Sequence, residues 1–276
     1  MTTKRSFDLE TFTLWQLPSQ TPNQMNSYVL RTVHGDVIAI DGGYTDDAEY
    51  LKGFLAALGN RVTAWFITHQ HLDHVDALTE ILRMPGDLQI DRIYGSLNTT
   101  AWVEAHEKDG VETTVQLKEA LATAGRGVTE LELGQELAFG GVHFEVLGIK
   151  NPEITVNAIN NSSVVMRVRD ETRSVLFPAD LGAEAGRKLL AGPYGNRLES
   201  DYVQMAHHGQ NGVERAFYEA VAARRCIWPT PLWLWDNNSG KGKGSGAWQT
   251  LEVRAWMEAM GVEQHYCLFN GLQEIR

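Results

Sequence analysis

"THQHLDHVDAL", residues 68–78, gathers three histidines and two aspartates between His69 and Asp76. The run before it, "RVTAWFIT", is short and apolar, as suits a strand covered on both faces. The segment after it, "VDALTEILRM", carries helical spacing. His69 and His71 sit two residues apart on an extended loop and can face one point. Asp73 and His74 add a carboxylate and a third imidazole within one turn. Nitrogen and oxygen donors mixed in this way suit zinc and similar borderline metals. One histidine in a polar loop carries no such meaning, whereas four ligand-type residues in six positions do. Asp76 falls on the helix, where a carboxylate favours the first turn.

Similar strand ends return later. "SVLFPAD" ends in Asp180, and "DYVQMAHHG" ends in His207 and His208. Loops at the carboxyl ends of neighbouring strands can share a pocket. Asp180 alone reads as a helix N-cap, but three strand ends with ligand chemistry point to one shared site.

The first half runs through strands at 7–17, 27–33 and 36–43, then a helix at 47–59 closed by Gly59. The second half begins again with strands at 129–139, 142–149, 162–170 and 173–180, and then alternates helices with short apolar runs. This predicts one domain, 1–276, of two similar halves, roughly 7–125 and 128–276. With 276 residues, 43% of them hydrophobic, the chain can bury a large core.

No run reaches the roughly 18 apolar residues of a membrane span, and "MTTKRSFDLE" lacks a signal-like apolar core. The expectation is a cytoplasmic protein without membrane attachment. A net charge of -11 argues against an extensive nucleic-acid-binding surface. Cys226 and Cys267 stand in apolar settings without a CxxC pair and read as buried thiols. "DNNSGKGKGSG", 236–246, lacks the phosphate-loop spacing and reads as a mobile loop, with Lys241 and Lys243 available to an anionic substrate. Trp228, Trp233 and Trp235 read either as core aromatics at alternating strand positions or as a substrate wall.

The HxHxDH element at 69–74, the strand-terminal Asp180 and a terminal histidine resemble the metallo-β-lactamase superfamily. "IDGG" at 40–43 resembles the segment preceding its first metal motif. "NNSSVVMRV", "VLFPADLG" and "VQMAHHGQNG" are similar to signatures of the branch related to the hydrolase domain of the competence protein ComEC. Ala179 and Gln210 depart from that branch, which has glycine and serine there.

The resemblance implies an α/β fold, a four-layer αββα sandwich with metals at one edge. It implies zinc, as one or two ions, with manganese or iron as alternatives. His69 and His71 would hold one metal, Asp73 and His74 the second, and Asp180 would bridge them. His207 is the favoured terminal ligand, with His208 in a supporting or substrate-facing place. The family's further histidine is missing, and Asn160 or Asn161 is expected in its stead, with His143 a less favoured candidate. Ser163 and Trp228 are candidates for substrate contact. Implied too is a hydrolase using a metal-bound hydroxide, with Asp73 orienting it, on a small-molecule phosphodiester or other phosphate ester. A carboxylic substrate (lactone, thioester or β-lactam) is the alternative, and a non-catalytic metal-binding module a third.

Overall fold

The computed structural model describes residues 11–275. The strand expected over 7–17 is present as Phe12–Gln16, and residues 7–10 lie outside the described part. Two seven-stranded sheets form the centre. In the first, the order is Gln273–Ile275, Phe12–Gln16, Ser27–Thr32, Val37–Asp41, Ala64–Ile67, Ile93–Gly95 and Val128–Glu130. In the second it is Gln264–Cys267, Arg225–Trp228, Tyr202–Gln204, Ser174–Phe177, Val165–Arg169, Val142–Gly148 and Glu136–Phe139.

Consecutive strands of each sheet pair antiparallel where no α-helix lies between them and parallel where one does. That follows from connection length, because a parallel pair needs a crossover. Side chains along Ala64–Ile67 alternate between two cores, as a period of two requires. Ala64 and Phe66 enter the layer between the sheets, with Leu30, Ile40, Phe144, Met166 and Phe177. Trp65 and Ile67 face outward, against Leu51 and Leu55 of helix Ala48–Ala57 and Leu78 and Ile81 of helix Leu72–Arg83. A third core packs Leu176, Val203 and Trp228 against Ala185, Phe217 and Met257 from the helices on the opposite side. The result is the four-layer αββα sandwich. No helix of the described residues is long and apolar enough to cross a membrane.

Three local features bear on the sequence reading. Trp228 alone of the three tryptophans lies in a strand, while Trp233 and Trp235 sit on the short helix Leu232–Trp235 that follows Pro231. Helix Thr100–His106, capped by the Thr99 hydroxyl accepting the Trp102 N–H, has too few apolar positions to stand out in the sequence. Segment 236–246 is held by its own bonds: the Asn238 side-chain oxygen accepts the N–H groups of Gly240 and Gly242, and Lys243 pairs with Asp236 at 3.2 Å. Both cysteines are buried and free.

Candidate metal centre

The edge where both sheets present the carboxyl ends of parallel strands collects the ligand-type residues. His69 follows Ala64–Ile67, Asp180 follows Ser174–Phe177, and His207 and His208 follow Tyr202–Gln204. The Val164 N–H donates to the Thr68 carbonyl at 2.8 Å, so the two sheets are joined beside the site.

Asp73, His74, Asp180 and His208 are all buried, each with a ligand atom within 4.8 Å of the others. His74 Nδ1 lies 2.7 Å from Asp41 Oδ2, and its Nε2 is 3.4 Å from Asp180 Oδ2. His208 Nδ1 lies 2.9 Å from the Pro229 carbonyl, which can only accept, so that nitrogen carries hydrogen. The opposite nitrogen, Nε2, is 3.0 Å from Asp73 Oδ2 and 3.1 Å from Asp180 Oδ2, yet has no well-directed hydrogen bond. A buried lone pair held this close to two carboxylates requires a proton or a cation between them. These residues therefore fit a metal: two imidazoles oriented by partners on their far nitrogens, and two carboxylates.

Electrostatics agree. Burial alone would lower both histidines, but Asp180 with Asp41 and Asp73 holds His74 well above its usual value, and Asp180 with Asp73 raises His208 to about 9. Burial alone would raise Asp180, but His208 and His74 keep it well below the carboxylate range. The carboxylates thus bias both imidazoles toward the doubly protonated form in the metal-free chain, and a bound cation competes with that proton. Zinc binding at pH 7 is expected to release protons, with apparent affinity rising as pH rises. Calorimetry in buffers of contrasting ionisation enthalpy measures this, and a buffer-independent heat would contradict it. Metal-free stability runs the other way. The raised value of His208 contributes stability below its ordinary 6.5, and that contribution is lost as pH rises through about 9.

A second pair lies alongside. His69 Nε2 is 3.2 Å from His71 Nδ1. His69 Nδ1 lies near the hydroxyls of Thr68 and Ser163, at 3.2 and 3.4 Å. Burial, with His74 and His71 nearby, holds His69 well below its usual value.

The remaining sequence candidates divide. His207 stands outside the four-residue group; its Nε2 is 3.3 Å from Asn160 Nδ2, and its Nδ1 is 3.1 Å from the Asn211 carbonyl. Asn160 lines the cavity with His207 and has a buried side-chain oxygen without a partner. Asn161 is taken up structurally, accepting the Ala185 N–H in the first turn of helix Ala183–Ala191 and donating to the Val156 carbonyl. The Ser163 hydroxyl accepts the Asp180 N–H at 3.3 Å. Trp228 is fully buried, and a Cβ on Gly209 would come within 2.4 Å of its ring, so glycine is required where the histidine turn meets the indole. His143 sits on strand Val142–Gly148, beside Glu136 and away from the cavity.

Asp41, His207, His208 and Ala179 all have φ between 49° and 56°, in the left-handed region. Such residues cost about 1–3 kcal/mol each and cluster at functional sites. For Ala179 this gives a reason why glycine suits the position.

Sequence reasoning passed over three partners. Asp41 lay in the quoted "IDGG" without a role. Asn26, whose side-chain nitrogen lies 3.1 Å from Asp180 Oδ1 and 3.2 Å from His74 Nε2, carried no signal. Neither did Glu107, whose Oε1 is 2.6 Å from His71 Nε2. The cavity above these residues holds about 240 Å³ and is lined also by Gln24, Tyr44 and Thr113.

The metallo-β-lactamase superfamily model matches residues 20–216. No curated protein sequence matches the chain. Among solved structures, the metallo-β-lactamase fold protein YhfI from Bacillus subtilis is similar with a TM-score of 0.56 at 13% identity, over 96% of this chain and 100% of that one. Unliganded yeast PDE1 is similar with a TM-score of 0.56 at 12% identity, over 94% and 97%. CmlA, a diiron β-hydroxylase from Streptomyces venezuelae, is similar with a TM-score of 0.56 at 16% identity; this chain is covered over 97% and spans 54% of that longer one. Identities this low speak for the shared fold, and the match over residues 20–216 carries the membership: this chain belongs to the metallo-β-lactamase superfamily.

Proposed function

We propose that the chain is a metal-dependent hydrolase of phosphodiester or other phosphate-ester substrates, with its centre in the cavity bounded by Asp73, His71, His207 and Asp180. The observation that carries this reading is the convergence of two carboxylates and two imidazoles on one buried point, with partners already on the imidazoles' far nitrogens. The ComEC-like segments around Asn160 and His208 support a phosphate ester over a carboxylic substrate. When bound, zinc, manganese or iron supplies Lewis acidity toward the scissile group and lowers the pKa of nearby water.

Asp73, Asp180, His74 and His208 are the proposed holders of one metal, with His69 and His71 toward a second and Asp180 between them. His208 takes the terminal place in this proposal because its Nε2 faces both carboxylates, whereas that of His207 faces Asn160. Asp73, kept ionised by His74 and His208 against the effect of burial, is placed to accept a proton from attacking water. His207 and Asn160, on the cavity wall, are placed to meet the substrate.

The test counts metals per chain and assays phosphodiesters, phosphomonoesters and lactones side by side. Turnover of phosphodiesters is expected, and a chain that binds no transition metal defeats the proposal. Comparing His208→Ala with His207→Ala separates the adjacent pair. The first should lose metal and activity together, and the second should keep its metal while KM rises. The reverse pattern would return His207 to the terminal place.

A further inference from the structure

Glu107 lies just beyond helix Thr100–His106 and belongs to no motif of the chain. Its Oε1 is 2.6 Å from His71 Nε2, and its Oε2 accepts the Ile159 N–H at 2.9 Å. Ile159 directly precedes Asn160, the cavity residue with the unpartnered side-chain oxygen. The turn carrying Glu107 is seated tightly there, because a Cβ on Gly110 would fall within 2.3 Å of Ile159 Cδ1.

A carboxylate can only accept, so His71 must present Nε2–H to it, leaving the Nδ1 lone pair 3.2 Å from His69 Nε2. We propose that Glu107 is a positioning residue for the His69–His71 half of the centre, fixing the tautomer and rotation of His71 and tying it to the segment that supplies Asn160. Outer carboxylates of this kind orient a ligating imidazole and raise its basicity. Glu107 makes no contact with the Asp73, His74, Asp180 and His208 group, so its influence is confined to one half. The inference rests on the proposed two-metal reading.

The experiment titrates zinc into the metal-free wild type, Glu107→Ala and Glu107→Gln by calorimetry, with melting temperatures recorded in parallel. One class of site in Glu107→Ala is expected to weaken about 10–100-fold while the other keeps its affinity. Glu107→Gln retains an oxygen for His71 and should fall between Glu107→Ala and the wild type. In the metal-free wild type, proton–nitrogen NMR should show a hydrogen-bonded, slowly exchanging Nε2–H on His71, assigned by its loss in His71→Gln and absent from Glu107→Ala. Unchanged affinity at both classes overturns the role of Glu107. Equal weakening of both with a lowered melting temperature also overturns it, because that is the mark of a structural anchor. A wild type that takes up none of zinc, manganese and iron overturns the hydrolase reading as well, and so is distinguishable from either.

Discussion

Asp180→Ala is expected to reduce turnover by at least about 10³-fold, equivalent to about 4 kcal/mol of barrier, and to lower the metal content per chain. Asp180 is 2% exposed and stands at the centre of the charge pattern. His74 Nε2 is 3.4 Å from its Oδ2, His208 Nε2 is 3.1 Å from the same atom, and Asn26 donates to its Oδ1. Without it, His74 and His208 lose the carboxylate that most strongly offsets their burial. Both imidazoles then deprotonate more readily, so the metal-free variant should bind fewer protons at neutral pH even as it holds metal less well. Metal analysis and steady-state rates on the same preparation make the test. Wild-type turnover in Asp180→Ala would remove this carboxylate from the mechanism while leaving the fold intact.

Phe66→Ala is expected to cost the largest share of stability, about 3–5 kcal/mol for a fully enclosed phenylalanine. Its ring stacks on Phe144 across the sheet interface, with centroids 5.1 Å apart and planes 7° from parallel, and on Tyr94 at 5.2 Å. Phe139 closes the cluster edge-on at 6.4 Å. Removing the ring leaves a cavity where both sheets contribute walls, so neither can relax alone. A chain of this size should melt roughly 10 °C lower. Denaturant unfolding gives the direct measure, and a loss below about 1 kcal/mol would mean that the sheets do not depend on this contact.

Much of the architecture was legible because it rests on local signals. The short apolar run "RVTAWFIT", apolar spacing in 47–59 and glycine stops marked strands and helices, and ligand-type residues at strand ends marked one edge. What stayed hidden depends on contacts distant in sequence. Asn26 meets Asp180 and Glu107 meets His71 only after the sheets stack, and no periodicity announces such meetings. Which member of a His-His pair turns inward is likewise a backbone question. Both His207 and His208 adopt left-handed φ, a conformation that residue order along the strand does not announce. Trp233 and Trp235 were open to a strand reading because their alternate spacing fits a strand as well as a single helical turn.

The buried group straddles a seam. Asp73 and His74 belong to the first sheet's connections, and Asp180 and His208 to the second's. Whatever occupies that point is a fastener as well as a reagent. Prising the sheets apart at this edge and surrendering the occupant are then one event, so mild damage along the seam would register as leakage of the occupant well before it registered as unfolding.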